Sequence, residues 1–128
     1  MSDEVRVDTT PFAGLDRLSR HLGYHARRQE VLAGNLANLD TPGYRAKDLV
    51  FHEELSAHIH NGEMRRTMRH SSESVTADDE VPDQDGNTVS LETQMAKTTA
   101  NTLRYEEITE LLNRKIGMLK YAVSDGAG

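Results

Sequence analysis

The chain has 128 residues, 36% of them apolar and 28% charged, with a formal charge of −6, no cysteine, no tryptophan and two phenylalanines. This composition bounds the chain to one domain with a thin core, and it excludes disulfides and thiolate metal sites. It also argues against nucleic acid, whose phosphates need a basic footprint.

The charge is unevenly placed. Residues 1–50 hold seven Lys/Arg against seven Asp/Glu, residues 51–89 three against nine, and residues 90–128 five against five. All the excess negative charge therefore falls in the middle, between two balanced ends that suit packed helices. No window approaches 18 consecutive apolar residues, so none reads as a membrane span. The opening MSDEVRVDTTPF lacks the basic-then-apolar layout of a cleaved secretory signal.

In chain order, the first element is a helix expected over 12–39. Leu15, Leu18, Leu22, His25, Gln29, Leu32, Leu36 and Leu39 follow alternating steps of three and four, which is a heptad seam. Pro11 suits the first turn, and Thr9 or Thr10 can cap it. His25 and Gln29 interrupt the leucines and read as polar residues that specify register. Pro42 pushes Thr41 out of the α region, and Pro42-Gly43 fits the centre of a type II turn.

Beyond the turn, residues 40–59 form a turn and a short segment. Phe51, Leu55 and Ile59 recur every fourth residue and predict a short amphipathic helix over 51–60. Residues 60–89 are polar, rich in Ser and Asp, and read as an irregular acidic stretch, with a small hairpin at Asp85-Gly86 or Gly86-Asn87. From 90 to 124 the chain is helical again. Leu91, Met95, Thr98, Thr102, Tyr105, Thr109, Leu112, Ile116, Leu119 and Val123 form its seam, and Leu103, Ile108, Leu111 and Met118 widen the stripe. Ser90 is the expected N-cap. Gly117 inside this helix suggests close approach by another backbone.

The expected fold class is thus all-α. Two long terminal helices pack as a hairpin or coiled coil around a polar, irregular middle, in one domain spanning 1–128. A pair of helices covers one side of each, so residues such as Leu103 and Leu111 stay exposed until copies or homologous partners cover them.

Candidate chemistry is thin. His58 and His60, with His52 and His70, invite a metal, but no HExxH spacing or cysteine accompanies them and they read as solvated. Asp83, Asp85 and Asn87 resemble a calcium loop, yet its sixth position would be Thr88 and its twelfth Gln94, so the register fails. Glu106, Glu107 and Glu110 sit among Arg104, Arg114 and Lys115 as helical ion partners rather than as an acid pair. There is no Gly-x-Ser-x-Gly elbow and no phosphate-cradling glycine loop. The expectation is no enzyme, no cofactor, no metal and no small-molecule substrate.

Two stretches carry a family resemblance. RRQEVLAGNLANLDTPGYRAKDLVF at 27–51 closely resembles the N-terminal signature of the flagellar rod and hook family. DGNTVSLETQMAKTTANTLRYEEITELLNRKIGMLKYAV at 85–123 is similar to the C-terminal half of its proximal rod members. The family's loop motif falls on Asn35, Asn38, Asp40, Thr41, Pro42, Gly43 and Tyr44; Gly34, Leu39 and Gln94 depart from its commonest pattern.

The resemblance implies a structural subunit of the flagellar rod, the drive shaft crossing the periplasm. It implies assembly with copies and other basal-body proteins, including the junction with the inner-membrane ring, through terminal helices that are often disordered beforehand. It further implies export without a cleaved signal by the flagellar type III apparatus. On that reading Leu15, Leu18, Leu22, Leu32, Leu36, Leu91, Met95, Leu103, Leu112, Ile116 and Leu119 serve the helix seam and the subunit interfaces. A soluble helical adaptor or export chaperone is the alternative.

Overall fold

The computed structural model describes residue 12 and residues 14–60, 63–77 and 89–126. Four elements follow in order: α1 (Leu15–Ala37), β1 (Lys47–His60), β2 (Glu63–Ala77) and α2 (Leu91–Gly126). At 1.5 Å per residue the 23-residue α1 is about 35 Å long and the 36-residue α2 about 54 Å.

Helix α1 begins at Gly14, whose φ of 86° is left-handed and whose carbonyl accepts from the Leu18 amide at 2.9 Å. The caps expected at Thr9 or Thr10, and Pro11, lie outside the described residues. At the other end Asn38 does the closing. Its side-chain amide donates to the Gly34 carbonyl at 2.8 Å, and its backbone amide to Asn35 at 3.2 Å. These bonds occupy carbonyls that the last helical turn leaves without partners. The chain then reverses through Thr41-Pro42-Gly43-Tyr44, with the Tyr44 amide on the Thr41 carbonyl at 3.2 Å and Gly43 at φ 74°. That is the type II turn expected from Pro-Gly.

Gly43→Ala should therefore cost about 1 kcal/mol, because an L side chain is strained at this φ. Gly117→Ala should instead gain about 1 kcal/mol, since a Cβ there meets nothing within 4 Å and alanine favours the helix. Paired urea titrations at one protein concentration check both signs. Among the described residues nothing makes the close approach expected at Gly117.

The all-α expectation is corrected in the middle of the chain. Residues 51–60 are strand, not helix, and 63–77, half of the stretch expected to be irregular, forms the strand that pairs with β1. β1 and β2 form a two-stranded antiparallel sheet running from Lys47↔Ala77 to His60↔Glu63, with a bulge between His58 and Ile59. The physical reason is a degenerate signal: Phe51, Leu55 and Ile59 are spaced by four, a multiple of the strand period of two. Backbone pairing in a two-stranded ladder does not itself require apolar side chains, so the polar sequence of β2 does not forbid it. The hairpin expected at 85–87 lies outside the described residues.

Helix α2 is capped as expected: Ser90 Oγ accepts from the Thr93 amide at 3.3 Å. It runs antiparallel to α1. Gln94 lies against Asn35, Asn101 against His25, and Lys115 beside Gly14, so the index falls along α2 as it rises along α1. The core is small and sits where both helices meet the start of β1. Leu32, Ala46, Leu49 and Val89 are its buried apolar residues, and Asn35, Gln94 and Asn101 are buried with them. Leu32→Ala should cost about 2–5 kcal/mol, as a fully buried leucine does, measurable as a drop in urea midpoint.

Candidate assembly interface

Helix α1 has two working faces. One meets α2; the other carries His21, Tyr24, Arg28 and Asn35, which hold the sheet. The His21 and Tyr24 rings lie 4.6 and 5.3 Å from the ring of Phe51, and the Tyr24 hydroxyl donates to the Leu49 carbonyl at 2.8 Å. Burial raises the Tyr24 pKa, and the carboxylates of Asp48 and Glu73 add to the rise against the opposing pull of Arg28. Phe51 and Leu49 share one face of β1 because they are two residues apart.

Asp48 joins three elements. The Arg28 guanidinium holds its carboxylate in a two-bond fork at 2.8 and 3.0 Å, and Lys97 of α2 lies 3.6 Å away. Burial alone would push the Asp48 carboxyl up. The Arg28 fork, the Leu49 amide and Lys97 outweigh it and hold the carboxyl below its ordinary value. A depressed folded-state value means stabilisation that is complete above roughly pH 4, where the unfolded carboxyl is ionised, and is lost as pH falls through the folded value. Asp48→Asn should flatten the acid limb of melting temperature against pH; an unchanged slope would dismiss the fork as a source of acid sensitivity. Arg27 forms a second, more exposed fork with Glu73 of β2, which also lowers that carboxyl.

Two buried amide clusters tie the helices together. Asn35 uses every polar atom of its side chain. Its Nδ2 donates to the Lys47 carbonyl at 2.7 Å and to Gln94 Oε1 at 2.8 Å; its Oδ1 accepts from the Lys47 amide at 2.9 Å and the Tyr44 hydroxyl at 3.2 Å. One asparagine thus joins α1, the turn, β1 and α2. Asn101 forms the second cluster. Its Nδ2 donates to the His25 carbonyl and to Gln29 Oε1, both at 2.8 Å, leaving Oδ1 for His25 Nδ1 at 2.7 Å. With an oxygen as its partner, Nδ1 carries the proton. His25 and Gln29, read from sequence as register-setting interruptions, meet a matching amide on the opposite helix.

The inner row of α2 is therefore Gln94, Thr98, Asn101, Tyr105, Ile108, Leu112, Lys115 and Leu119, none of them highly exposed apart from Tyr105 at 40%. The expected seam shares Thr98, Tyr105, Leu112 and Leu119 with it. The other half of the expected seam is one residue out of phase: Leu91, Met95, Ile116 and Val123 lie outward, between 37% and 71% exposed. Buried hydrogen-bonded amides took the places that apolar spacing assigned to Met95 and Thr102. On α1, Leu15, Leu18, Leu22 and Leu36 are half-buried and Leu32 fully so. Of the signature loop, Asn35 is buried, Asn38 and Tyr44 half-buried, and Asp40, Thr41, Pro42 and Gly43 exposed.

Large apolar side chains remain uncovered on α2. Leu103, Leu111, Met118 and Tyr121 of α2 are also more than half exposed. Where the helices splay, Phe12, Leu15, Ile116, Leu119 and Val123 line an open groove of about 480 Å³. Among the described residues no group of His, Asp or Glu is placed to hold a metal, and no helix is long and apolar enough to cross a membrane.

A profile of the flagella basal body rod protein family matches residues 25–45, the end of α1 and the turn. Flagellar basal body rod protein FlgB of Cereibacter sphaeroides is 36% identical over 118 residues, covering 80% of this chain and 92% of the relative. This chain belongs to the flagellar basal body rod protein family. FlgB of Salmonella typhimurium is 35% identical, covering 82% of this chain and 94% of its own length, and that of Escherichia coli 34%, covering 77% and 84%. Membership makes the chain a structural subunit of the basal body, associated with other basal-body components.

Proposed function

We propose that this chain is a subunit of the proximal rod, packed helically against copies of itself and homologous subunits through its terminal helices, and that it passes torque toward hook and filament. The observation that carries this reading is the inversion on α2: amides face its intramolecular partner while Leu91, Met95, Leu103, Leu111, Ile116 and Met118 face outward. Exposed apolar rows of that length on a folded chain are association surfaces. The residues expected at the seam and interfaces divide accordingly. Leu15, Leu18, Leu22, Leu32, Leu36, Leu112 and Leu119 serve the intramolecular pair, and Leu91, Met95, Leu103 and Ile116 serve neighbours.

The signature loop is the joint of this subunit. Asn35, Asn38 and the Pro-Gly turn fix the direction in which the sheet leaves α1, and a shaft under load needs that angle held. Pro42→Ala should weaken assembly more than His58→Ala, scored as swimming-zone diameter; equal zones would deny the turn its role. Export by the flagellar type III apparatus without a cleaved signal, and contact with the inner-membrane ring junction, belong to the same proposal.

Deleting the gene should remove rod, hook and filament together. Helicity of the purified chain should rise with concentration as neighbours cover the outward row; cooperative melting at full helicity in dilute solution would speak against such coupling. The alternative adaptor or export-chaperone reading predicts a chain that folds alone and binds one partner at fixed stoichiometry.

A further inference from the structure

The described contacts of the sheet with α1 lie at its base, on Leu49, Phe51 and Glu73, and the backbone ladder continues through 53–60 of β1 and 63–72 of β2. An isolated two-stranded ribbon is marginal in water, and each strand presents one open edge of backbone donors and acceptors. Among the described residues no third strand pairs with either.

The two arms differ in charge. The β1 arm carries Glu53 and Glu54 and no Lys or Arg; the β2 arm carries Arg65, Arg66 and Arg69 against Glu63. The register puts Glu53 opposite Ser71, Glu54 opposite His70, Arg69 opposite Leu55 and Arg66 opposite His58, so no glutamate stands directly across from an arginine within the hairpin.

Resting on the assembly reading above, we propose that the distal hairpin joins one copy of this chain to the next by edge-to-edge strand pairing, the acidic β1 edge of one copy against the basic β2 edge of another. Pairing of like edges would set Glu against Glu or Arg against Arg and is disfavoured. The contact is therefore head-to-tail, and a head-to-tail contact propagates rather than closing on a dimer. Opposite strand charges select the partner edge and the direction of growth.

The chain has no cysteine, so single cysteines can report this contact in the full-length protein. Ser56→Cys marks the β1 arm and Thr67→Cys the β2 arm. When the two proteins are mixed and treated with a short bismaleimide, the mixed dimer should exceed either homodimer about tenfold, given the cost of like-charge juxtaposition. Changing Arg65, Arg66 and Arg69 to Glu in the Thr67→Cys protein should abolish the mixed product. Adding Glu53→Lys and Glu54→Lys to its Ser56→Cys partner should restore it. Homodimers as abundant as the mixed product, or indifference to charge reversal, would overturn the proposal. So would normal swimming by a strain whose charge-reversed chain no longer cross-links, and that result would leave the rod reading intact. A chain that cross-links as expected yet is missing from purified basal bodies would support the hairpin contact and sink the rod reading instead.

Discussion

Asn35→Ala is expected to cost about 3 kcal/mol and to free the sheet from the helices, because it strands several buried polar groups together. The Lys47 amide loses its acceptor, the Lys47 carbonyl and Gln94 Oε1 lose their donor, and the Tyr44 hydroxyl loses its partner. Each unsatisfied buried group costs about 1–3 kcal/mol, and partial rescue by water keeps the total below the sum. Asn35→Asp is no milder. It keeps the acceptor but turns a carboxylate toward the Lys47 carbonyl and Gln94 Oε1 in a site with no solvent exposure. Asp40→Ala, three residues beyond the helix and exposed, should stay within about 0.5 kcal/mol of the parent. Urea midpoints at one protein concentration separate these variants. A midpoint for Asn35→Ala matching that of Asp40→Ala would mean that the cluster holds nothing.

The same residue shows how far sequence reaches here. Asn35 stands out in the signature stretch, and a helix-end role follows from its position next to Pro-Gly. Its partners Lys47 and Gln94 are 12 and 59 residues away, and no periodicity connects them. The helices themselves are legible because leucines at steps of three and four persist over many turns. The phase of α2 is not, since hydrophobic counting assumes that the apolar row faces the nearest partner. In this subunit a one-residue rotation turns Gln94 and Asn101 inward and Met95 outward, and the amides compensate with hydrogen bonds that a pattern cannot express. The sheet was hidden for another reason: spacing by four fits both periods, and the polar sequence of β2 carries no apolar alternation to mark a strand.

Where the amides close the subunit on itself, the outward row should open it to neighbours, and charging that row should abolish assembly without unfolding the chain. Leu111 and Met118, one heptad apart and 53% and 66% exposed, are the positions of choice. Covering a leucine or methionine contributes about 1.5–3 kcal/mol, and burying an unpaired carboxylate in its place costs several more. Leu111→Glu with Met118→Glu should therefore weaken each contact by more than 5 kcal/mol, or about three to four decades of affinity. Swimming should stop and the chain should vanish from purified basal bodies. In dilute solution, where the parent does not associate, the isolated double variant should keep the circular dichroism of its parent, since both positions lie on the outward row; at higher concentration it should lack the parent's gain in helicity. Leu112→Glu, one residue away on the inner row, should instead disrupt the helix pair and lower that signal. Glu107→Ala, which removes an exposed ion pair with Arg104, should change neither readout. A swimming Leu111→Glu, Met118→Glu strain would show that this face of α2 looks onto solvent in the assembled shaft, and the division of labour between inner amides and outer apolar residues would fall with it.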